Sequence, residues 1–244
     1  MTIVLRALIA FGLCTGSAMA DGMGDMAGHS GDSMLFWHAG AEVDGADAGW
    51  LGDGSGTLVN WDGFAWYGGD GTKFRLEAEG DTLDADVGSS ELRAMLSWNV
   101  SDFWDLQAGL REDLAPDPFT WGFVGFQGLA PYFFETEARL FVSENADFAF
   151  RLKQSFDILF TQDLILAPHV EANAYAQDID GLGVGAGLAT IEGGLQLRYE
   201  FSREFAPYLD LVHDRAVGET AIIARKFGQD TESSTLRLGL RLRL

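Results

Sequence analysis

The chain has 244 residues, with 37 acidic side chains against 16 basic ones and a formal net charge of -21. So acidic a surface argues against a nucleic-acid partner and for cations. No apolar run long enough for a membrane helix follows residue 20, so a helical membrane span is not expected, while 31 glycines and 12% aromatics suit short alternating strands.

Residues 1–20 carry one cation, Arg6, then an apolar run, then Ala18-Met19-Ala20 ahead of Asp21. That order reads as a secretory signal peptide with an A-x-A cleavage site. The single cysteine, Cys14, lies inside it and follows Phe11-Gly12-Leu13, a poor fit to a lipoprotein box. The mature chain is therefore expected to begin at Asp21, to carry no disulfide, and to have a net charge of -22 once Arg6 is removed. Residues 21–34, DGMGDMAGHSGDS followed by Met34, are small and polar and predict no regular structure.

From residue 35 onward, segments of period-two alternation follow one another. They are placed at about 35–44, 57–67, 72–80, 89–98, 103–112, 119–127, 132–143, 147–159, 164–176, 189–201, 206–215 and 235–244. The last is the plainest: Leu236, Leu238, Leu240, Leu242 and Leu244 share one face, and Arg237, Gly239, Arg241 and Arg243 the other. Twelve segments is an even number, as single-chain bacterial outer-membrane barrels require. Short connections such as 68–71, 99–102, 128–131, 160–163 and 202–205 alternate with longer Gly- and Asp-rich ones at 45–56, 81–88, 177–188 and 216–232. The prediction is an all-β fold, a transmembrane antiparallel barrel of about twelve strands over 35–244, with both termini in the periplasm and lipid around it. Trp37, Trp98, Trp104, Trp121, Phe134 and Tyr199 fall near strand ends on apolar faces, as interfacial girdles do. A soluble β-sandwich would share the alternation but has no need of long charged strands ended by aromatics.

Three constellations bear on chemistry. Met23, Met26, His29 and Met34 put three of six methionines and one of four histidines into twelve residues. A water-exposed segment has no packing reason to use thioethers. With imidazole and no thiolate they favour copper, Cu(I) above all; the bland alternative is a linker. The polar strand faces project Glu77, Glu79, Glu91, Glu137, Glu171, Glu192, Asp210, Arg75, Arg93, Arg111, Arg139, Arg151, Lys153 and Arg237, among others, into the lumen. Such a mixture is first of all a salt-bridge network that stiffens a small barrel. Its sharper reading picks out His38, Met95, His169 and Glu171 as a metal path, His169 and Glu171 being two apart and so on one face. His213 and Asp214 are adjacent in a strand and point to opposite faces, so no nucleophile-and-base pair is evident and no enzyme is expected.

Long stretches then carry a family likeness: NWDGFAWYGGD at 60–70, DVGSSELRAMLSWNVSDFWDLQAGLREDL at 86–114, FTWGFVGFQGLAPYFFE at 119–135, LILAPHVEANAYAQD at 164–178, GLQLRYEFSREFAPYLDL at 194–211, and the closing strand. With these the chain resembles the copper-resistance outer-membrane protein B family (CopB, PcoB). The resemblance implies a barrel in the bacterial outer membrane that takes part in copper resistance by binding copper ions and sequestering or exporting them. It also implies a periplasmic multicopper oxidase as partner, and a Met- and His-rich N-terminal region, which Met23, Met26, His29 and Met34 fit. A structural barrel or general porin without a metal role is the alternative.

Overall fold

The computed structural model describes residues 38–51, 57–84, 86–115 and 118–243. Its strands run β1 His38–Leu51, β2 Thr57–Gly68, β3 Thr72–Leu83, β4 Asp86–Ser101, β5 Trp104–Ala115, β6 Phe119–Ala130, β7 Phe134–Ser143 and β8 Phe148–Ser155. They continue with the two-residue β9 Ile158–Leu159, then β10 Leu164–Tyr175, β11 Gly187–Tyr199, β12 Phe205–Ala216 and β13 Glu232–Arg243. Each strand pairs antiparallel with the next, β8 and β9 both pair with β10, and β13 pairs back onto β1 from Glu42↔Arg243 to Leu51↔Thr235. The sheet is thus closed. Because β8 and β9 occupy one position in the wall, broken at Phe156 and Asp157, the barrel has the expected twelve wall positions.

Among the described residues closure pairs every strand on both sides except the two-residue β9, which pairs with β10 alone, and such pairing is the condition for crossing lipid. It also sorts side chains by parity. Leu92, Leu110, Val124, Leu140, Leu211 and Leu238 are exposed on the outer face. Their neighbours Arg93, Arg111, Phe123, Arg139, Asp210 and Arg237 turn inward, as strict alternation requires. Among the described residues no helix is long and apolar enough to cross a membrane, which is silent about strands.

Strand boundaries depart from expectation where neighbours supply hydrogen bonds that composition does not reveal. The stretch 45–51, expected as loop, is the second half of β1, held by β13 on one side and β2 on the other, with register shifts after Val43. Pairing on both sides overrides the poor strand propensity of Gly, Ala and Asp. The expected loop 81–88 is a tight turn: Thr82 pairs with Val87 and Leu83 with Asp86. Asp84 sits there at φ 51, a conformation Asp tolerates, and its Oδ1 accepts the Thr57 amide at 2.9 Å. Only two described connections are long, 176–186 and 217–231, and both fold. The first holds a short 3₁₀ turn, Asp180–Leu182; the second holds helix α1, Gly218–Lys226, which was not expected. α1 has Glu219 in its first turn and Arg225 and Lys226 in its last, signs that suit its dipole.

Trp121 also departs. It belongs to no girdle: it is buried at 2% exposure inside the barrel, donating from Nε1 to Asp113 Oδ2 at 3.0 Å. Indole buried with its N–H satisfied is a packing residue.

Candidate functional site

The lumen divides into two sectors. In the first, long cationic side chains cross from β7 and β8 to β3 and β4. Arg139, fully buried, places Nη1 2.9 Å from Glu77 Oε2 and Nη2 3.0 Å from Gln107 Oε1. Arg93 meets Glu77, Glu79 and Glu91 at 2.9, 2.6 and 2.5 Å. Arg151 bridges Glu79 and Glu91, both at 3.1 Å, and Arg111 joins Glu91 to Asp113. Arg139 lies flat against the wall because Gly125 is beside it: a Cβ there would come within 2.7 Å of the arginine Cγ. Above this layer Trp121, Phe123 and Phe141 form an aromatic cluster, with the Arg139 and Arg111 guanidiniums 5.3 and 5.4 Å from the Phe123 and Phe141 ring centres.

The second sector lies on β10 to β13, at mid-height. His169 pairs across the sheet with Gly194, and its imidazole lies directly over that glycine, where a Cβ would collide with ring atoms Cε1 and Nε2. His169 Nε2 is 3.8 Å from Asp210 Oδ2 on β12 and 4.0 Å from Glu192 Oε1 on β11. Arg237 on β13 approaches Glu192 at 3.9 Å, and its own Nε has no hydrogen-bond acceptor among the described residues. These distances are long for ion pairs. Two ligands bound tetrahedrally at about 2.0–2.1 Å stand about 3.3 Å apart, so the trio needs to close by roughly half an ångström to hold an ion. Among the described residues no three such groups are already drawn to metal-binding distance. Imidazole with two carboxylates is an N,O set suited to Cu(II) or zinc more than to Cu(I).

The residues singled out from sequence separate accordingly. Met23, Met26, His29 and Met34 lie outside the described residues. His38 opens β1, its backbone opposite Gly68, and its side chain is likewise not among those described. Met95 faces the lumen but is 1% exposed in the aromatic cluster, its sulfur 3.9 Å from Arg139 Nη2. A guanidinium beside the thioether opposes a second cation. Glu171 shares a strand face with His169 yet is engaged elsewhere, by Lys153 at 3.1 Å and Asn173 at 2.8 Å. What His169 meets instead, Glu192 and Asp210, comes from two other strands. The sequence placed both in the lumen but gave no sign that they converge, because that needs the strand register. On the outer face His213 Nδ1 is 2.9 Å from Ser234 Oγ, while Asp214, pointing inward, accepts from Ser233 at 2.8 Å.

The family model described as "Copper resistance protein B precursor (CopB)" matches residues 46–244. The copper resistance protein B homolog of Pseudomonas syringae pv. tomato is 38% identical over 194 residues, 79% of this chain and 66% of that protein. Copper resistance protein B of Escherichia coli is 39% identical, over 75% of this chain and 62% of its own length. The chain thus spans somewhat under two thirds of each of these relatives. Among solved structures, the NanC porin superposes with a TM-score of 0.57 at 12% identity, covering 84% of this chain and all of that one. The KdgM porin in complex with oligogalacturonate gives 0.51 at 10% identity, over 82% and 98%. At such identities they show the fold alone. Wall, register and sequence agree: the chain is a bacterial outer-membrane β-barrel and belongs to the copper resistance protein B family.

Proposed function

We propose that this barrel serves copper resistance by binding copper ions inside its lumen, at His169, Glu192 and Asp210, and sequestering them or passing them across the outer membrane. One observation carries the reading. Among the described side chains His169 is the one imidazole turned into the lumen, laid over Gly194, with two carboxylates from different strands facing the same nitrogen at 3.8 and 4.0 Å. Copper is the cargo; the family supports its identity, and the N,O donor set supports Cu(II) at this place. Met23, Met26, His29 and Met34 offer a second, softer donor set suited to Cu(I), argued from their residue types alone. Two chemically distinct sets in one chain fit a protein that meets copper in both oxidation states. The periplasmic oxidase partner rests on the family likeness only.

Equilibrium binding of Cu(II) and of Cu(I), under reductant, to the purified full-length protein tests both sets at once. His169→Ala should lose lumenal Cu(II) and keep Cu(I). Replacing Met23, Met26 and Met34 by leucine should do the reverse, and in the parent Cu(I) binding should weaken as pH falls through about 6.5, where imidazole protonates. Unchanged Cu(II) stoichiometry in His169→Ala would remove the lumenal site, leaving a barrel whose copper role lies elsewhere.

A further inference from the structure

We infer that the connection between β10 and β11 is a built-in plug that closes the lumen at the end bearing the two long loops, and that α1 is its latch.

The argument starts from an oddity of packing. Met95, Trp121, Phe123 and Phe141 are 1–4% exposed, yet they project into a lumen lined mostly by charge. An aromatic cluster on the inner wall of a polar channel would stand in water unless something covered it. The covering residues are Ile179, at 6% exposure, with Leu182 and Val184. All three belong to residues 176–186, which leave the wall at β10 and return at β11. The cluster sits on inward-facing positions of β4, β6 and β7, two to six wall positions away from those strands. The connection therefore runs through the interior rather than out into solvent. It is folded to do so: Ile179 and Val184 form a β-bridge, and Gly183, at φ 66, closes the turn between them. Asp178 Oδ1 accepts the Ala186 amide at 2.7 Å and fixes the stem.

The latch is separate. Gly185 donates its amide to Thr220 Oγ1 at 3.0 Å, and Thr220 is buried in α1. A Cβ on Gly185 would come within 2.5 Å of the Glu219 Cβ, so only glycine lets the plug stem lie this close to the helix. α1 in turn is anchored to the wall where Val217 donates to the Ala189 carbonyl at 2.8 Å. Among the described residues a small apolar cluster joins the plug to its socket, and the Gly185–Thr220 hydrogen bond joins it to α1. Such an arrangement can open without disturbing the closed sheet.

The inference gains its purpose from the proposed passage of copper, but its test does not use copper. Potassium chloride conductance of the full-length protein in planar bilayers reads closure directly, with heat-modifiable migration as the check on assembly. The parent should conduct little. Replacing residues 179–184 by two glycines, or Ile179→Ser with Leu182→Ser, should raise conductance several-fold; Thr220→Val should raise the frequency of open events at unchanged open conductance. The double substitution decides the matter where the deletion does not assemble. Equal conductance in parent and assembled variants, whether low or high, overturns the inference: low would place the closure in the salt-bridge layer, high would mean no closure. Loss of copper binding in His169→Ala with the plug effect intact would leave the plug standing, and the converse would leave the site standing.

Discussion

The two sectors of the lumen use the same kinds of side chain to opposite ends. Among the described residues, the sector on β3 to β8, with Glu171 of β10, sets six cations (Arg75, Arg93, Arg111, Arg139, Arg151, Lys153) against six carboxylates (Glu77, Glu79, Glu91, Asp113, Glu137, Glu171). It is neutral, and most of its contacts are 2.5–3.1 Å. The sector on β10 to β13 holds Arg198 against Asp157 at 2.8 Å, but sets Glu192 and Asp210 against Arg237 with the His169 imidazole between, at 3.8–4.0 Å. The difference comes from reach. Arginine spans the lumen and clamps two walls together, whereas His, Glu and Asp stay on their own wall and leave space in front of them. Groups already closed on one another at hydrogen-bond distance brace the wall, whereas the trio around His169, standing 3.8–4.0 Å apart, leaves room for an ion between its members.

The largest expected effect is the loss of the clamp. Arg139→Met leaves Glu137 and Gln107 without their buried donor and takes from Glu77 one of its three cations, Arg75 and Arg93 remaining; it should cost about 3–5 kcal/mol, the range for breaking one partner of a buried pair. Arg237→Met, in the looser sector, should cost under about 1 kcal/mol, as for weakly coupled pairs. Urea midpoints of the heat-modifiable band compare the two; equal shifts would mean that the sectors do not differ in stiffness.

A smaller effect separates lumen from lipid on β13. Leu238→Arg, outward-facing and 56% exposed, should destabilise by about 2–4 kcal/mol if it lies near the bilayer midplane. Arg241→Leu, inward on the same strand, should cost less. Folding yield into lipid vesicles measures both, and a greater defect from Arg241→Leu would reverse the assignment of faces.

Much of this was legible in sequence and some was not, for definite reasons. Strict alternation in residues 235–244 or 89–98 carries its own sign, because one face is charged. In β6 both faces are apolar, Phe119, Trp121 and Phe123 on one and Val124 and Phe126 on the other, so alternation shows a strand without showing which side meets lipid. That is why Trp121 was assigned to a girdle. Ile179, Leu182 and Val184 are spaced among glycines and aspartates, and nothing local distinguishes a loop that turns inward from one that turns out. His169 was visible as a lumenal imidazole, but its neighbours are set by the pairings of β10 with β11 and of β11 with β12, which no spacing along the chain encodes.

The finest test of the two sectors is a single methyl group. Gly194 and Gly125 both lie on the inner wall beneath a large side chain, His169 in one case and Arg139 in the other. Gly194→Ala puts a methyl where the imidazole now lies, so the ring must swing away from the line on which Glu192 and Asp210 face it. Moving a ligand without removing it, as loss of an outer-shell support does, weakens metal affinity by about 10–100-fold; the same fall in Cu(II) affinity is expected here, with assembly unchanged. Gly125→Ala should do the reverse, lowering stability through Arg139 while leaving copper affinity as it was. Gly193→Ala is the control: its Cβ would meet nothing closer than the His169 carbonyl oxygen at 4.0 Å, on the outward face. Titration of all three proteins with Cu(II) decides it. Equal affinity in Gly194→Ala and Gly193→Ala would show that the placement of the His169 ring has no bearing on copper, and the division between a sector that braces and a sector that binds would fail at its binding end.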